Sequence, residues 1–426
     1  MKTTYCFISA LAKASRIILL TAALVAPCAS IAIGGGVPSA RSVAMGQASM
    51  GLAAGVDAAR FNPANLGFHQ FRLTQVELLN VGVNVSNNAF TLGDYNNYSG
   101  AFLTDADKTE LLDKVPDEGL SLSGDVEASA FSFAFGSFVF SASGVGAADV
   151  DINKELVDLA LHGNSFADTI RVEGSYSDAV AYASFGLSYG RKVYTSGTRE
   201  LSLGGTVKYL RGIGVEKIVE LNGLASTEVS GFAGSGNMIV HTASGGRGYG
   251  LDMGAALKID NNYTAGISIK NIVSSISWNN QPEEHGYLFS FDTVTVDNMG
   301  DSFVVSDDYT RDIASFSTTV PSTMTIGLAN TSGKLVWAVD WEQGFSTRAG
   351  SSTKPRVGAG LQYSHWKYLP LRTGFSVGGS KNTAFSFGSG IDLGTFYLDY
   401  AIVTGSSLTA NSSKGLNFAV TTGLRF

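Results

Sequence analysis

Apolar and polar residues alternate with a period of two along most of the chain beyond residue 72, the repeat that sends successive side chains to opposite faces of an extended strand. Leu335, Trp337, Val339 and Trp341 fall on one face, and Val336, Ala338, Asp340 and Glu342 on the other. Phe396, Leu398, Tyr400 and Ile402 alternate with Thr395, Tyr397, Asp399 and Ala401. Tyr249, Leu251, Met253, Ala255 and Leu257 alternate with Gly250, Asp252, Gly254, Ala256 and Lys258. One face is apolar; the other is small, polar or charged. A water-soluble sandwich alternates in the same way, so the spacing of turns has to decide between them. Clusters of Gly, Asn and Asp end about 14 strands. The connections between them alternate in length, as transmembrane barrels require. Short turns fall at the Gly136-Ser137 pair and at 191–198, 260–262, 331–333, 365–369 and 392–394. Long connections fall at 85–119, 147–175, 215–247 and 275–319, and smaller ones at 344–353, 380–382 and 405–414. Every short turn follows an even-numbered strand, so with both termini periplasmic the short turns are periplasmic and the long loops extracellular. The expected fold is an all-β, antiparallel transmembrane β-barrel over 71–426, its long extracellular loops carrying short helices.

Local signals refine this picture. At Gly136-Ser137 the apolar parity shifts from Phe131, Phe133 and Phe135 to Phe138 and Phe140, which a two-residue hairpin with Gly first explains and a bulge explains as well. Thr104 with Asp107 three residues on makes a capping box ahead of Leu111 and Leu112. Asp151 is placed to cap a second helix, in which Ile152, Leu156, Leu159 and Ala160 share a face and which Gly163 ends. In the last segment Leu416, Phe418, Val420, Thr422, Leu424 and Phe426 form one face, and the final Phe426 completes it. An aromatic terminus of this kind resembles the signal read by the outer-membrane barrel assembly machinery.

The first 32 residues read differently. Lys2, Lys13 and Arg16 precede the apolar run 17–26, and Ser30 and Ala32 suit a signal-peptidase site. Removing 1–32 removes both cysteines, Cys6 and Cys28, so the exported chain has no disulfide staple. It leaves 26 basic side chains against 36 acidic ones, which makes nucleic acid a poor partner. Beyond that leader no apolar stretch approaches the roughly 18 residues of a membrane helix.

Candidate chemistry is sparse. His69, His162, His241, His285 and His365 are scattered without metal-ligand spacing, and no metal or cofactor is expected. Gly186-Leu187-Ser188-Tyr189-Gly190 matches a nucleophile-elbow pattern, but that chemistry needs a strand, a strained turn and then a helix. Here the motif lies inside an alternating strand, so Ser188 reads as a serine facing the lumen and the chain as a non-enzyme. Parity places a set of charges in the lumen: Lys208, Asp252, Lys258, Lys270, Asp340, Glu342, Arg356, Arg372, Asp399 and Arg425. A charge facing hydrocarbon would cost roughly 2–4 kcal/mol at mid-depth, so these read as a mutually paired network. Trp278, Trp337, Trp341, Trp366, Tyr368 and Tyr400, near strand ends, read as an interfacial aromatic belt on the outer face.

Between the leader and the first strand, residues 33–70 do not alternate, and small residues dominate them. The segment carries Ala40-Arg41-x-x-x-Met45-Gly46 and Phe61-Asn62-Pro63-Ala64-x-Leu66. With Ile269-Lys270-Asn271-Ile272 and Leu398-Asp399-Tyr400-Ala401, these motifs touch both ends and the middle of the chain. In them the sequence resembles the FadL and PorV superfamily of outer-membrane proteins, and its loops look like those of an uncharacterised branch. The resemblance implies a 14-stranded barrel plugged by its N-terminal segment. Arg41, Met45, Gly46, Phe61, Asn62, Pro63 and Ala64 are then the plug residues. It further implies passive uptake of a small hydrophobic ligand, or alternatively a secretion-associated or structural barrel whose loops bind protein partners. Phe90, Tyr95, Phe102, Leu111 and Leu112 are the candidate capture surface. Outer-membrane lipid, lipopolysaccharide and the assembly machinery are the expected partners.

Overall fold

Backbone pairing closes the chain on itself. Strand β1 (Gln75–Asn87) pairs antiparallel with the last strand, β14 (Gly415–Arg425), from Gln75 opposite Arg425 to Ser86 opposite Gly415. The computed structural model describes residues 38–163, 169–294, 304–347, 351–379 and 382–426; the expected leader 1–32 lies outside them. Between those two strands run β2 (Leu120–Ser129 and Ser132–Phe135), β3 (Phe138–Ile152), β4 (Tyr176–Ser196), β5 (Arg199–Glu228), β6 (Gly231–Lys258) and β7 (Tyr263–Trp278). Then follow β8 (Phe316–Thr318 and Thr323–Asn330), β9 (Leu335–Gly344), β10 (Arg356–Trp366), β11 (Leu369–Gly378), β12 (Thr383–Asp392) and β13 (Phe396–Gly405). Each pairs antiparallel with its neighbours, giving a closed ring of fourteen strands. Among the described residues no helix is long and apolar enough to cross a membrane.

The distribution of side chains is inside-out. Leu335, Val339, Ile402, Phe418 and Leu416 are exposed on the outer surface, whereas Asn62, Asn80, Asp252 and Asp340 are buried. Apolar exposure on this scale fits a wall facing lipid. Phe131, Phe133, Phe135 and Phe138 lie exposed around the turn after β2, an aromatic group that joins the outward-facing Trp366, Tyr368 and Tyr400. That turn is the two-residue hairpin, with Gly136 at φ 57° and Phe135 opposite Phe138. A non-glycine residue would be strained there.

The structure corrects the loops. The expected long connection 215–247 is largely strand: β5 and β6 run on as a ribbon to Glu228 and Gly231, their backbone groups paired along its length. Much of 275–319 is likewise a hairpin arm, Glu283–Val294 with Val304–Asp312, laid against that ribbon. Gly223, Gly234 and Gly236 on the ribbon, which read as breaks, take neighbouring side chains against their bare backbone. Helix α5 (Lys154–His162) starts later than expected. Asp151 and Ile152 belong to β3, and Asn153 is the cap, its Oδ1 accepting from the Glu155 N–H at 2.8 Å. Gly163 ends it with φ 79°. Helix α4 (Asp105–Asp113) has both halves of the Thr104–Asp107 capping box. A further helix, α3 (Leu92–Tyr98), is capped in the same way by Thr91 and Asp94.

Within the ring lies the N-terminal segment, with α1 (Ala40–Ala44), α2 (Val56–Phe61) and a 3₁₀ turn, Pro63–Gly67. Inward-facing glycines let its backbone approach the wall. A Cβ at Gly360 or Gly374 would overlap Met45 and Gly46, one at Gly204 would overlap Pro63, and one at Gly254 would overlap Asn62. At Gly374 the obstructing atoms are backbone, which cannot swing aside. Gly374→Val is therefore expected to destabilise the barrel by about 1–3 kcal/mol. It should also expose Arg41 to trypsin in the folded protein, read by heat-dependent gel mobility and limited proteolysis.

Candidate functional site

The contents of the bore are built from backbone groups met by wall side chains. The Ala40 N–H donates to Thr421 Oγ1 at 2.8 Å, and Thr421 donates to Asn80 Oδ1 at 2.6 Å. The Ser49 and Met50 N–H groups donate to one oxygen of Asp340, at 2.7 and 2.8 Å. Met45 is fully buried, and the Gly46 carbonyl accepts from Arg356 Nη1 at 2.9 Å. Asn62 caps the Pro63–Gly67 turn, its Oδ1 accepting from the Ala64 N–H, while its Nδ2 donates to the Ala255 carbonyl at 3.0 Å. The Ala64 carbonyl accepts from Ser202 Oγ at 2.6 Å. Asn65 donates back to the carbonyls of Met50 and Ala53, which staples the two halves of the segment together. Phe61 lies 5.3 Å beneath the Lys270 ammonium.

The luminal charges named from parity resolve into separate pairs. Lys208 meets Asp252 at 2.7 Å, Arg356 meets Glu342 at 3.3 Å, Arg372 meets Asp399 at 2.6 Å and Arg425 meets Asp392 at 2.9 Å. Asp340 serves backbone N–H groups, Lys270 covers the Phe61 ring, and Lys258 joins none of these pairs. The most deeply buried pair was not legible from parity. Arg60 Nη1 meets Glu77 Oε2 at 2.7 Å and Asp57 Oδ1 at 2.9 Å, its Nη2 bonds both Glu77 Oε1 and Ser129, and both Arg60 and Glu77 are buried. Arg60 lies in the stretch without alternation, and Glu77 precedes the irregularity in the β1–β14 register. The available signal was the i,i+3 spacing of Asp57 and Arg60.

Toward the long-loop end the bore changes character. Trp278, which read as an outer-belt residue, is 0% exposed in a cluster with Tyr182, Leu210, Val215, Ala243 and Ile276, with Phe316 and Val320 packed against it. Its Nε1 donates to Thr318 Oγ1 at 2.9 Å. Trp278 shares even parity with Thr264, Ser268 and Lys270, so the alternation itself points it inward. Its place at a strand end is what suggested otherwise. Gly212 and Gly246 leave room for the ring. Between the two regions, Asn271 adopts φ 51° at a bulge, and its N–H donates to Asp252 Oδ1 at 2.7 Å instead of joining the ladder.

The candidate capture residues differ in exposure. Phe102 is 94% exposed and Tyr95 is exposed, Phe90 and Leu112 are half-buried, and Leu111 is buried. Lys114 ties the two loop helices, reaching Asp94 at 2.6 Å and Glu110 at 2.8 Å. Ser188 lies in the wall strand with its Oγ 2.8 Å from Thr206 Oγ1. Among the described residues no group of His, Cys, Asp and Glu has the arrangement of a metal site.

A lipid-facing wall around a polar interior defines a transmembrane β-barrel, and residues 38–71 lie within it. The chain belongs to a family of unknown function (DUF5723), which matches residues 63–399. No curated protein matches it. Among solved structures it is similar to the toluene transporter TodX of P. putida (15% identity, TM-score 0.54, covering 92% of this chain and 99% of that one). It is also similar to the toluene transporter TbuX of Ralstonia pickettii (15%, 0.53, 92% and 99%) and to a Pseudomonas aeruginosa FadL homologue (14%, 0.50, 92% and 100%). The fold is thus that of the FadL-type outer-membrane channels.

Two outcomes follow from this geometry. Arg60→Met should destabilise the protein by about 3–5 kcal/mol by leaving the Glu77 carboxylate buried alone. The double change Arg60→Met with Glu77→Met should recover most of that loss in thermal denaturation. In the loop, burial works to raise the Asp94 carboxyl, but hydrogen bonds from Lys114 and Thr91 prevail and hold it below its ordinary range. A carboxyl so lowered stabilises the fold above its unfolded pKa, roughly 4. Proteolytic protection of residues 88–119 should therefore hold at neutral pH and fade as pH falls below that value.

Proposed function

We propose that the protein is an outer-membrane channel that passively admits a small hydrophobic molecule, with residues 33–70 as a movable plug and the long loops as its outer vestibule. The observation that carries this reading is the apolar cluster around Trp278 inside the bore. The other buried apolar clusters hold the N-terminal segment against the wall, and the wall's large apolar side chains, such as Leu335, Val339 and Phe418, face outward, where lipid receives them. Inside a bore lined by Lys208, Asp252 and Lys270 they have no solvent to prefer, so a cluster of them offers an apolar solute contacts that the polar wall does not. The route is then loops, Trp278 cluster, charged middle and N-terminal segment. Such a path needs no energy source, because it only shortens a crossing that the lipopolysaccharide leaflet makes slow. The toluene transporters among the similar structures support the class of solute. The terminal Phe426 supports insertion by the barrel assembly machinery, and lipid and lipopolysaccharide are the surroundings this wall suits. The hydrogen bonds and glycine seats of Arg41, Met45, Gly46, Asn62, Pro63 and Ala64, with the Lys270 ammonium over the Phe61 ring, support a plug that fills the bore at rest.

The test is uptake of radiolabelled toluene by cells with and without the protein, and by liposomes carrying the purified chain. Deletion should slow uptake. Trp278→Ala should change the rate for toluene at least about threefold while leaving a sugar of similar size unaffected, and Pro63→Gly should raise leak of both solutes. Uptake that is unchanged on deletion would overturn the transport reading, and partners copurifying through the long loops would replace it with a secretion-associated or structural barrel. Unchanged leak in Pro63→Gly would remove the plug assignment alone.

A further inference from the structure

At the short-turn end of the bore, a cavity of about 130 Å³ is lined by Arg41, Lys367, Arg372 and Arg425, with Gln362 and Asp392 among the remaining wall. The carboxylates at hand are engaged, Asp392 by Arg425 at 2.9 Å and Asp399 by Arg372 at 2.6 Å. Arg41 has no carboxylate within ion-pair distance among the described residues. Its Nε donates to Gln362 Oε1 at 3.1 Å, the same oxygen that accepts from Arg372 Nε at 3.0 Å. One neutral amide oxygen thus holds two guanidinium groups side by side. Arg425 Nε is buried with no hydrogen-bond acceptor. Lys367 adds a further cation from the turn between β10 and β11. Like charges gathered in a partly enclosed space repel unless an anion completes them, and guanidinium forks suit a multi-oxygen anion. The neighbouring cavity of about 170 Å³ shares Arg41 and Arg425 but is also lined by Asp57, Glu77 and Asp399, which turn an anion back toward the first.

We propose that this cavity binds a phosphate-class oxyanion between Arg41, Arg372 and Arg425, with Lys367 closing its outer side. Arg41 belongs to α1 and Arg425 to β14, so the bound oxyanion ties the N-terminal segment to the strand that closes the barrel. Binding to the folded state alone then stabilises it by mass action. Free phosphate and the phosphate of a lipid headgroup share this chemistry, and Trp366, exposed beside the cavity, stands where a headgroup would rest.

The experiment uses the full chain in phosphate-free, non-ionic detergent, with the thermal midpoint titrated against inorganic phosphate at constant ionic strength and chloride as control. A saturable rise of about 2–4 °C is expected, with apparent affinity falling at least about tenfold in both Arg41→Gln and Lys367→Gln. Lys367 is on an exposed turn, so its variant reads the site even where Arg41→Gln fails to fold. A rise produced only by a short-chain phosphatidyl lipid, and weakened in Lys367→Gln, supports the site and assigns its oxyanion to a headgroup. No saturable rise with either probe, or equal affinity in Lys367→Gln and the unaltered protein, overturns the proposal.

Discussion

The antiparallel ladder between β1 and β14 is the interaction on which the rest depends. In hydrocarbon an unpaired N–H or carbonyl has nothing to bond, and each costs several kcal/mol. A sheet of this length with two free edges could not persist there. Joining the first and last strands removes both edges, and only then do inner and outer faces exist as separate environments. The exposure of Leu335 and Phe418, and the burial of Asp340 and Asn80, follow from that separation. The Phe426 N–H, donating to the Thr74 carbonyl at 2.8 Å, carries the seam to the last residue of the chain.

Closure creates a second problem, since a ring of this size encloses more space than small wall side chains fill. Residues 38–71 occupy part of that space, and glycine and charge divide the task of seating them. Gly360, Gly374, Gly204 and Gly254 let the backbone come close, and Asp340, Arg356, Ser202 and Thr421 then satisfy groups that no secondary structure pairs. A bulkier wall would hold the segment too far from these partners to bond it. The segment's small residues and the wall's glycines are therefore one feature read from two places in the sequence.

That division explains what the sequence disclosed. Strand number and the order of short and long connections follow from period-two alternation and turn chemistry, both local, and the ring of fourteen strands agrees with them. The capping box at Thr104 is equally local. Long-range contacts were less legible. Arg60 and Glu77 find each other across the boundary between irregular segment and strand, where no periodicity fixes a face. The ribbon over 215–247 looks like loop because its glycines, which neighbouring side chains cover, resemble turn residues when read singly. Asp151 lost the cap to Asn153 because the β2–β3 ladder runs on to Leu120 opposite Ile152. Trp278 is the most instructive case: its parity points inward, against the general preference of tryptophan for membrane interfaces.

The same contacts constrain how such a bore could open. The half around α1 is held by β8 to β14 through Thr421, Arg356 and Asp340, and the half from α2 to Leu66 by β1 to β6 through Glu77, Ser202 and the Ala255 carbonyl. Ejecting the whole segment would break both sets, and separating Arg60 from Glu77 alone would cost about 3–5 kcal/mol. Movement of one half alone must also break the bonds that join the two, from Asn65 to the Met50 and Ala53 carbonyls and from Ser39 to Asp57. Of the two, the α1 half is cheaper to displace, because Asp340 serves neutral N–H groups and, among the described residues, no buried ion pair crosses from it to the wall. For the proposed channel, partial release of that half is therefore the less costly opening.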